Sequence, residues 1–304
     1  MTAIDDSDYV TDDAHGDTWR MMLGDSCERL AELDTDSVDL AIYSPPFASL
    51  YTYSPTLRDL GNSHDRGEFL EHYGYVSREV LRALKPGRLA CVHVQQLSTT
   101  KSTHGVIGLT DFRGDVIRQH ERDGWIFHGE ITVDKDPQAQ AIRTKAHALM
   151  FATLERDSAS NRPAMADYVL IFRKPGDNPA AVEPDVSREE WIEWARPVWY
   201  SIRETDVLNV SRARDEQDER HLAPLQLELI ERCVRLWASR GELVLSPFAG
   251  IGSEGVGAIR HGRQFVGIEL KPSYWRTACR NLTEAEAEAN SPTLLDGLES
   301  GGAA

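Results

Sequence analysis

The stretch from residue 243 to 269 restricts the fold of this chain more than any other. Leu243-Val244-Leu245 is a short apolar run entering Ser246-Pro247-Phe248-Ala249-Gly250-Ile251-Gly252-Ser253-Glu254-Gly255. A helical pattern then reaches His261, and a second apolar run, Gln264 to Ile268, ends at Glu269. Strand, glycine turn, helix and strand in that order form a crossover unit, which needs a parallel sheet. Glycines in the turn let the backbone bend tightly and come close to a nucleotide-like ligand, and an acid ending the next strand is placed to accept ribose hydroxyls. Gly250-x-Gly252-x-x-Gly255 also matches the dinucleotide fingerprint, so an NAD(P)-dependent oxidoreductase is one reading. Against it, only 49 residues follow Gly255 in a chain of 304. A dinucleotide site needs a second mononucleotide-binding half. A single adenosine can be held if the rest of the sheet comes from upstream.

Upstream there is enough sheet. Trp19 to Leu23 reads as a strand, Cys27 to Leu33 as a brief helix, and Ser37-Val38-Asp39-Leu40-Ala41-Ile42-Tyr43 as a buried strand. Residues 67–84 carry Phe69, Leu70, Tyr73, Val76, Val80, Leu81 and Leu84 at helical spacing, stopped by Lys85-Pro86-Gly87. Strands follow at Arg88 to Val94, Trp125 to Val133 and Tyr168 to Phe172, with a helix at Asp111 to Asp123 and a long one at Leu225 to Ser239. The alternation predicts an α/β sandwich around a largely parallel sheet with helices on both faces.

A second motif, Ser44-Pro45-Pro46-Phe47, sits where the buried strand ends. Neither proline can donate to a sheet ladder, so the strand stops there in a stiff turn. A Ser hydroxyl and a Pro carbonyl in such a turn can accept two hydrogen bonds from an exocyclic amino group, and a Phe ring offers a face for a flipped-out base. On its own the tetrapeptide is equally a strand-ending turn with a core Phe.

Taken together the motifs resemble a family. Ser44-Pro45-Pro46-Phe47 is similar to the catalytic motif of the DNA amino-methyltransferases, which move methyl from S-adenosyl-L-methionine to N4 of cytosine or N6 of adenine. Phe248-Ala249-Gly250-Ile251-Gly252-Ser253 resembles their cofactor loop. The catalytic motif comes first and the cofactor loop late, as in the circularly permuted β group. Gly24-Asp25, Ser37-Val38-Asp39-Leu40 and His221-Leu222-Ala223-Pro224-Leu225-Gln226 complete the resemblance, which runs from about Gly24 to Leu282. Its members come from prokaryotes and phages, and the block Ser44 to Gly61 is similar to the phage enzymes. The resemblance implies a Rossmann-like methyltransferase sandwich with a mostly parallel seven-stranded sheet in permuted order. It implies Ser44, Pro45, Pro46 and Phe47 as catalytic residues. It implies Asp25, His221, Pro224, Phe248, Ala249, Gly250, Gly252, Ser253 and Glu269 around the cofactor, with no metal. The chain departs from the family at Ser246, where Asp is common, and at Glu254, which follows the loop. Ser at position 44 is more typical of N4-cytosine enzymes, and Asp or Asn of N6-adenine ones. Methylation at C5 of cytosine would need a cysteine nucleophile, and Cys27, Cys91, Cys233 and Cys279 lie in no such turn.

Charge bears on the substrate. The net charge is −16, but the ends hold most of it. Residues 1–17 carry six Asp and residues 284–304 five acids, with no Lys or Arg in either stretch. Both ends are expected to be solvated, disordered acidic tails, leaving 18–283 as one catalytic domain whose nearly balanced charge permits a local basic face. Target-recognition insertions are expected within 138–166 and 177–220. Candidates for gripping double-stranded DNA there are Arg143 with Lys145, Arg156 with Arg162, and Arg203 with Arg212 and Arg214, next to Trp199 and Tyr200; each cluster reads more readily as a solvated surface, and the tryptophans as core packing. His93, His104 and His128 read as structural residues. No apolar run approaches a membrane span, and the cysteines are isolated, so the cytoplasm of a prokaryotic or phage-infected cell is expected. A homodimer and a cognate restriction endonuclease are partners the resemblance leaves open.

Overall fold

The computed structural model describes residues 9–46, 63, 66–99, 101–138, 140, 163–208 and 224–291. The first elements are β1 (Asp12–His15), β2 (Trp19–Leu23), α1 (Ser26–Arg29), β3 (Val38–Tyr43), α2 (Arg66–Ala83) and β4 (Leu84–Gln95). Next come β5 (Leu97–Thr99), α3 (Lys101–His104), β6 (Gly108–Thr110), α4 (Phe112–Asp123), β7 (Ile126–Val133) and β8 (Asp167–Arg173). The last are α5 (Arg188–Trp194), β9 (Val198–Trp199), α6 (Leu227–Trp237), β10 (Leu243–Ser246), α7 (Ser253–Arg260), β11 (Gln264–Glu269) and α8 (Pro272–Asn290).

The main sheet has nine strands in the order β1-β2-β11-β10-β3-β4-β8-β7-β9. From β2 to β4 every neighbouring pair is parallel. β8 runs antiparallel to both β4 and β7. These seven strands are the expected sheet, and two short strands extend its edges. β9 adds to β7, and β1 adds antiparallel to β2.

Burial explains the order. Every residue of β3 is buried, as a central parallel strand covered on both faces must be. Leu40 and Ile42 pack with Leu229 and Ile230 of α6, Val256 and Ile259 of α7 and Leu282 of α8. Ala41 and Tyr43 face the opposite core, built from Phe69, Tyr73, Val76 and Val80 of α2 and Val116 of α4. Adjacent strands β3 and β10 therefore send their crossovers to opposite faces, β3 through α2 to β4 and β10 through α7 to β11. Such a reversal opens a crevice at the carboxyl ends of the two strands.

One expectation is corrected. The acidic ends are not free tails throughout. An edge strand offers unpaired N–H and C=O groups, and Asp12–His15 satisfies them on β2. Asp13 accepts from Arg20 at 2.8 Å and also pairs with Arg29. At the other end α8 runs to Asn290, and Glu286 accepts the backbone N–H of Thr18 at 2.6 Å. Trp199, weighed as core packing against a place in the DNA grip, is core, 1% exposed, with its indole N–H on Trp194 O at 2.9 Å. Its neighbour Tyr200 is 71% exposed. Nearby, Arg235 of α6 pairs with Glu190 of α5, and the fully buried Arg263 holds Asp185 through both guanidinium nitrogens. Much of the segment expected to be a recognition insertion is thus fastened to the sheet.

Candidate functional site

The glycine turn leaves the end of β10. Ala249 N–H donates to Ile268 O at 2.9 Å and Gly252 N–H to Ala249 O at 2.7 Å, folding the turn against β11. Gly250 and Gly252 have φ of 53° and 87°. In both, a side chain would be strained, but their surroundings differ. A Cβ on Gly252 would lie 3.2 Å from Ala278 Cβ, whereas one on Gly250 would meet nothing within 4 Å. Gly252 therefore serves the packing of α8, and Gly250 leaves open space beside the turn.

Glu269 organises this corner. One carboxylate oxygen accepts Gly250 N–H at 2.9 Å, the other Lys271 N–H at 2.8 Å. Its backbone carbonyl accepts Gly24 N–H at 2.9 Å, with Leu23 and Glu269 paired in register. Asp25 follows at once and caps α1 by accepting Cys27 N–H at 2.9 Å. Ser26 donates its hydroxyl to Pro247 O, tying α1 to the turn. Asp25, Phe248, Ala249, Gly250, Gly252, Ser253 and Glu269 are thus brought to one corner. Pro224 stands at the entry to α6, and His221 lies outside the described residues, as do Phe47 and the rest of the phage-like block to Gly61.

The corner suits a ligand with both polar and charged parts. Ser246 and Ser253 are buried, and neither hydroxyl has a hydrogen-bond partner among the described residues. Buried polar groups are ordinarily satisfied, so the open hydroxyls of Ser246 at the end of β10 and of Ser253 at the first turn of α7 fit a bound polar group, and at the helix start N–H groups also favour negative charge. Glu254 is buried in the same turn. Burial pushes its carboxyl up to about 8, and the neighbouring Glu269 acts in the same direction. The protonated Glu254 adds little negative charge to the site near neutral pH.

The Ser-Pro-Pro turn lies on the same rim. Val244 and Leu245 of β10 pair with Leu40 and Ala41 of β3, so the two strands end side by side. Beyond the ladder, the Tyr43 and Phe248 rings meet edge to face with centroids 6.0 Å apart. Ser44, Pro45 and Pro46 follow Tyr43 directly, with Pro45 buried and its two neighbours half-buried. Ser44 donates its hydroxyl to His93 O at 3.1 Å.

The sequence reading missed the residues behind Ser44. His93 Nδ1 is 3.4 Å from Ser44 Oγ, and its Nε2 is 3.1 Å from Asp167 Oδ2. Lys135 Nζ approaches the same Asp167 oxygen at 2.6 Å. Burial alone would raise the Asp167 carboxyl, but His93 and Lys135 outweigh it and hold its pKa below the ordinary value. All three side chains are buried. The available signal was polar residues interrupting apolar strands close to their rim ends, but nothing in the sequence joins His93 to a partner 74 positions away. Of the expected DNA contacts, Arg203 is exposed, while Arg143, Lys145, Arg156, Arg162, Arg212 and Arg214 lie outside the described residues.

Comparison with known proteins agrees with this geometry. A family model described as DNA methylase matches residues 38–280. The chain is 33% identical over 119 residues to the type II methyltransferase M.BglI of Bacillus subtilis, spanning 38% of this chain and 30% of that protein. It is 23% identical over 286 residues to the type II methyltransferase M.MjaI of Methanocaldococcus jannaschii, spanning 84% of this chain and 88% of that one. Among solved structures, a DNA modification methylase of Thermus thermophilus superposes with a TM-score of 0.65 and 26% identity, over 86% of this chain and 93% of its own. That protein has also been solved in complex with S-adenosyl-L-methionine.

Proposed function

This chain belongs to the DNA methylase family of N6-adenine and N4-cytosine methyltransferases, and from that premise we propose that it methylates N4 of a cytosine within a defined site of double-stranded DNA. It is an S-adenosyl-L-methionine-dependent DNA amino-methyltransferase. The observation that supports methyl transfer to a base amino group is the pairing of β3 with β10, which sets the Ser-Pro-Pro turn and the glycine turn side by side.

S-adenosyl-L-methionine supplies an electrophilic methyl on a sulfonium. Gly250, Ser253, Glu269 and Asp25 are the residues that would hold it, through an open turn, a free hydroxyl and two carboxylates. An exocyclic amine conjugated to its ring is a poor nucleophile, so the task of the chain is to orient it. Ser44 gives its own proton to His93 O and keeps its lone pairs for an amino N–H. The Pro45 carbonyl takes the second N–H, and Phe47 offers a stacking face to the extruded base. Holding the nitrogen lone pair in line with the methyl supplies most of the acceleration. Ser at position 44 favours cytosine over adenine. Residues 12–290, with the edge strand and helix end that the acidic termini supply, act as one catalytic unit, with DNA contacts from 138–166 and the Tyr200–Arg214 stretch. The site of action is the cytoplasm, where DNA is accessible; among the described residues no helix is long and apolar enough to cross a membrane.

The test is incubation with S-adenosyl-L-methionine and unmethylated genomic DNA, digestion to nucleosides and mass spectrometry. N4-methylcytosine is expected. N6-methyladenine would overturn the base assignment, and DNA left without any methylated base would overturn the function.

A further inference from the structure

We infer that His93 is a positioning residue that draws off the proton released in methyl transfer, through the Ser44 hydroxyl, with Asp167 and Lys135 fixing its ring. The inference rests on the placement of Ser44 at the reacting amine.

The chemistry demands an outlet. When the amine nitrogen bonds to the methyl carbon, the S–CH3 electron pair returns to sulfur and the nitrogen carries one proton too many. The N–H electron pair must fall back to nitrogen and the proton must go to an acceptor. The Ser44 hydroxyl can take it only while giving up its own hydrogen. That hydrogen has two acceptors within reach, His93 O at 3.1 Å and His93 Nδ1 at 3.4 Å. The carbonyl cannot hold a proton, but the imidazole can.

The surroundings of the ring set its tautomer. Asp167 is on β8, and Lys135 follows β7. His93 and Lys135 together hold the Asp167 carboxyl below its ordinary pKa, so the ionised Asp167 accepts from the ring and the ring proton resides on Nε2. Nδ1 then faces Ser44 with its lone pair free. After the transfer, the imidazolium is hydrogen-bonded to a carboxylate, the arrangement that stabilises it. It returns the proton to solvent once product leaves. Among the described residues, the neutral Ser44 hydroxyl from the end of β3 meets Nδ1, and the Cys91 thiol, two residues back on the same face of β4, is kept protonated by burial. A histidine, an aspartate and a lysine buried together among apolar strands would otherwise be a costly way to build a core.

The experiment measures single-turnover methylation of unmethylated plasmid DNA from pH 5.5 to 9, alongside S-adenosylhomocysteine binding by calorimetry. The wild-type rate should fall on the acid side as the imidazole becomes protonated. His93→Gln should lower the rate at pH 8 by roughly 10²-fold, lose the acid limb, and bind S-adenosylhomocysteine as the wild type does. Asp167→Asn should lower the rate less and move the acid limb to lower pH, because the charge that favours the imidazolium is gone. A His93→Gln enzyme with an unchanged rate overturns the inference. So does one that is slower but keeps the wild-type acid limb, since that would make His93 merely structural. Ser44→Ala separates the two readings: full activity in that variant defeats the placement of Ser44 itself, whatever His93 does.

Discussion

Single residues divide between those that hold the turn and those that face its open side. Gly252 belongs to the first group, with its φ of 87° and Ala278 Cβ 3.2 Å from where a side chain would start. Gly252→Ala should cost about 1–3 kcal/mol in denaturant unfolding and weaken S-adenosylhomocysteine binding with it. Ser44→Ala should abolish methyl transfer while leaving that binding intact, which calorimetry on the same sample would show. Glu254 behaves differently, because its pKa in the folded chain is about 8 against an ordinary 4.5. The folded state holds this proton more tightly than the unfolded state, so stability declines as pH rises from about 4.5 towards 8. Glu254→Gln removes that decline. Its advantage over the wild type should be near zero at pH 4.5 and on the order of 4 kcal/mol at pH 8, as read by urea unfolding of the ligand-free protein. Equal stabilities at pH 8 would contradict the burial argument. Ser44, Gly250 and Glu269 could be read from the sequence because each lies in a short local pattern. His93, Asp167 and Lys135 could not, because what they do depends on three strands meeting in space.

At the scale of elements, the long periodic segments were legible, and the short or irregular ones were not. The spacing of Phe69, Tyr73, Val76 and Val80 marks α2, and Val38–Tyr43 marks β3, because burial of one or both faces writes itself into residue type. β1, with four residues, and β9, with two, carry no such period and form only because a neighbouring edge offers partners. The same holds for the polar segment around α5. Composition there suggests an exposed insertion, yet Asp185 and Glu190 anchor it to Arg263 and Arg235. Arg263 is 1% exposed, and loss of its partner would leave a buried charge unpaired. Asp185→Ala should therefore lower unfolding free energy by about 3 kcal/mol, against less than about 1 kcal/mol for removing the exposed Glu288 that meets Arg260. Parallel urea melts of the two variants would check the contrast.

For the whole molecule, the order of the motifs along the chain differs from their order in space. The Ser-Pro-Pro turn and the glycine turn are about two hundred positions apart in sequence and end on neighbouring strands. The reversal of crossover direction between β3 and β10 was foreseeable only in outline, since strand order is not written in any local pattern. The contact of Thr18 with Glu286, 268 positions apart, closes the described chain nearly into a ring. A ring has no privileged opening. Joining residue 9 to residue 291 through a flexible linker and reopening the backbone between Ala180 and Ala181, both outside regular structure, should give a rearranged protein that still binds S-adenosylhomocysteine within a few-fold of the original by calorimetry. Where translation starts is, for this architecture, a matter of genetic history and not of mechanics.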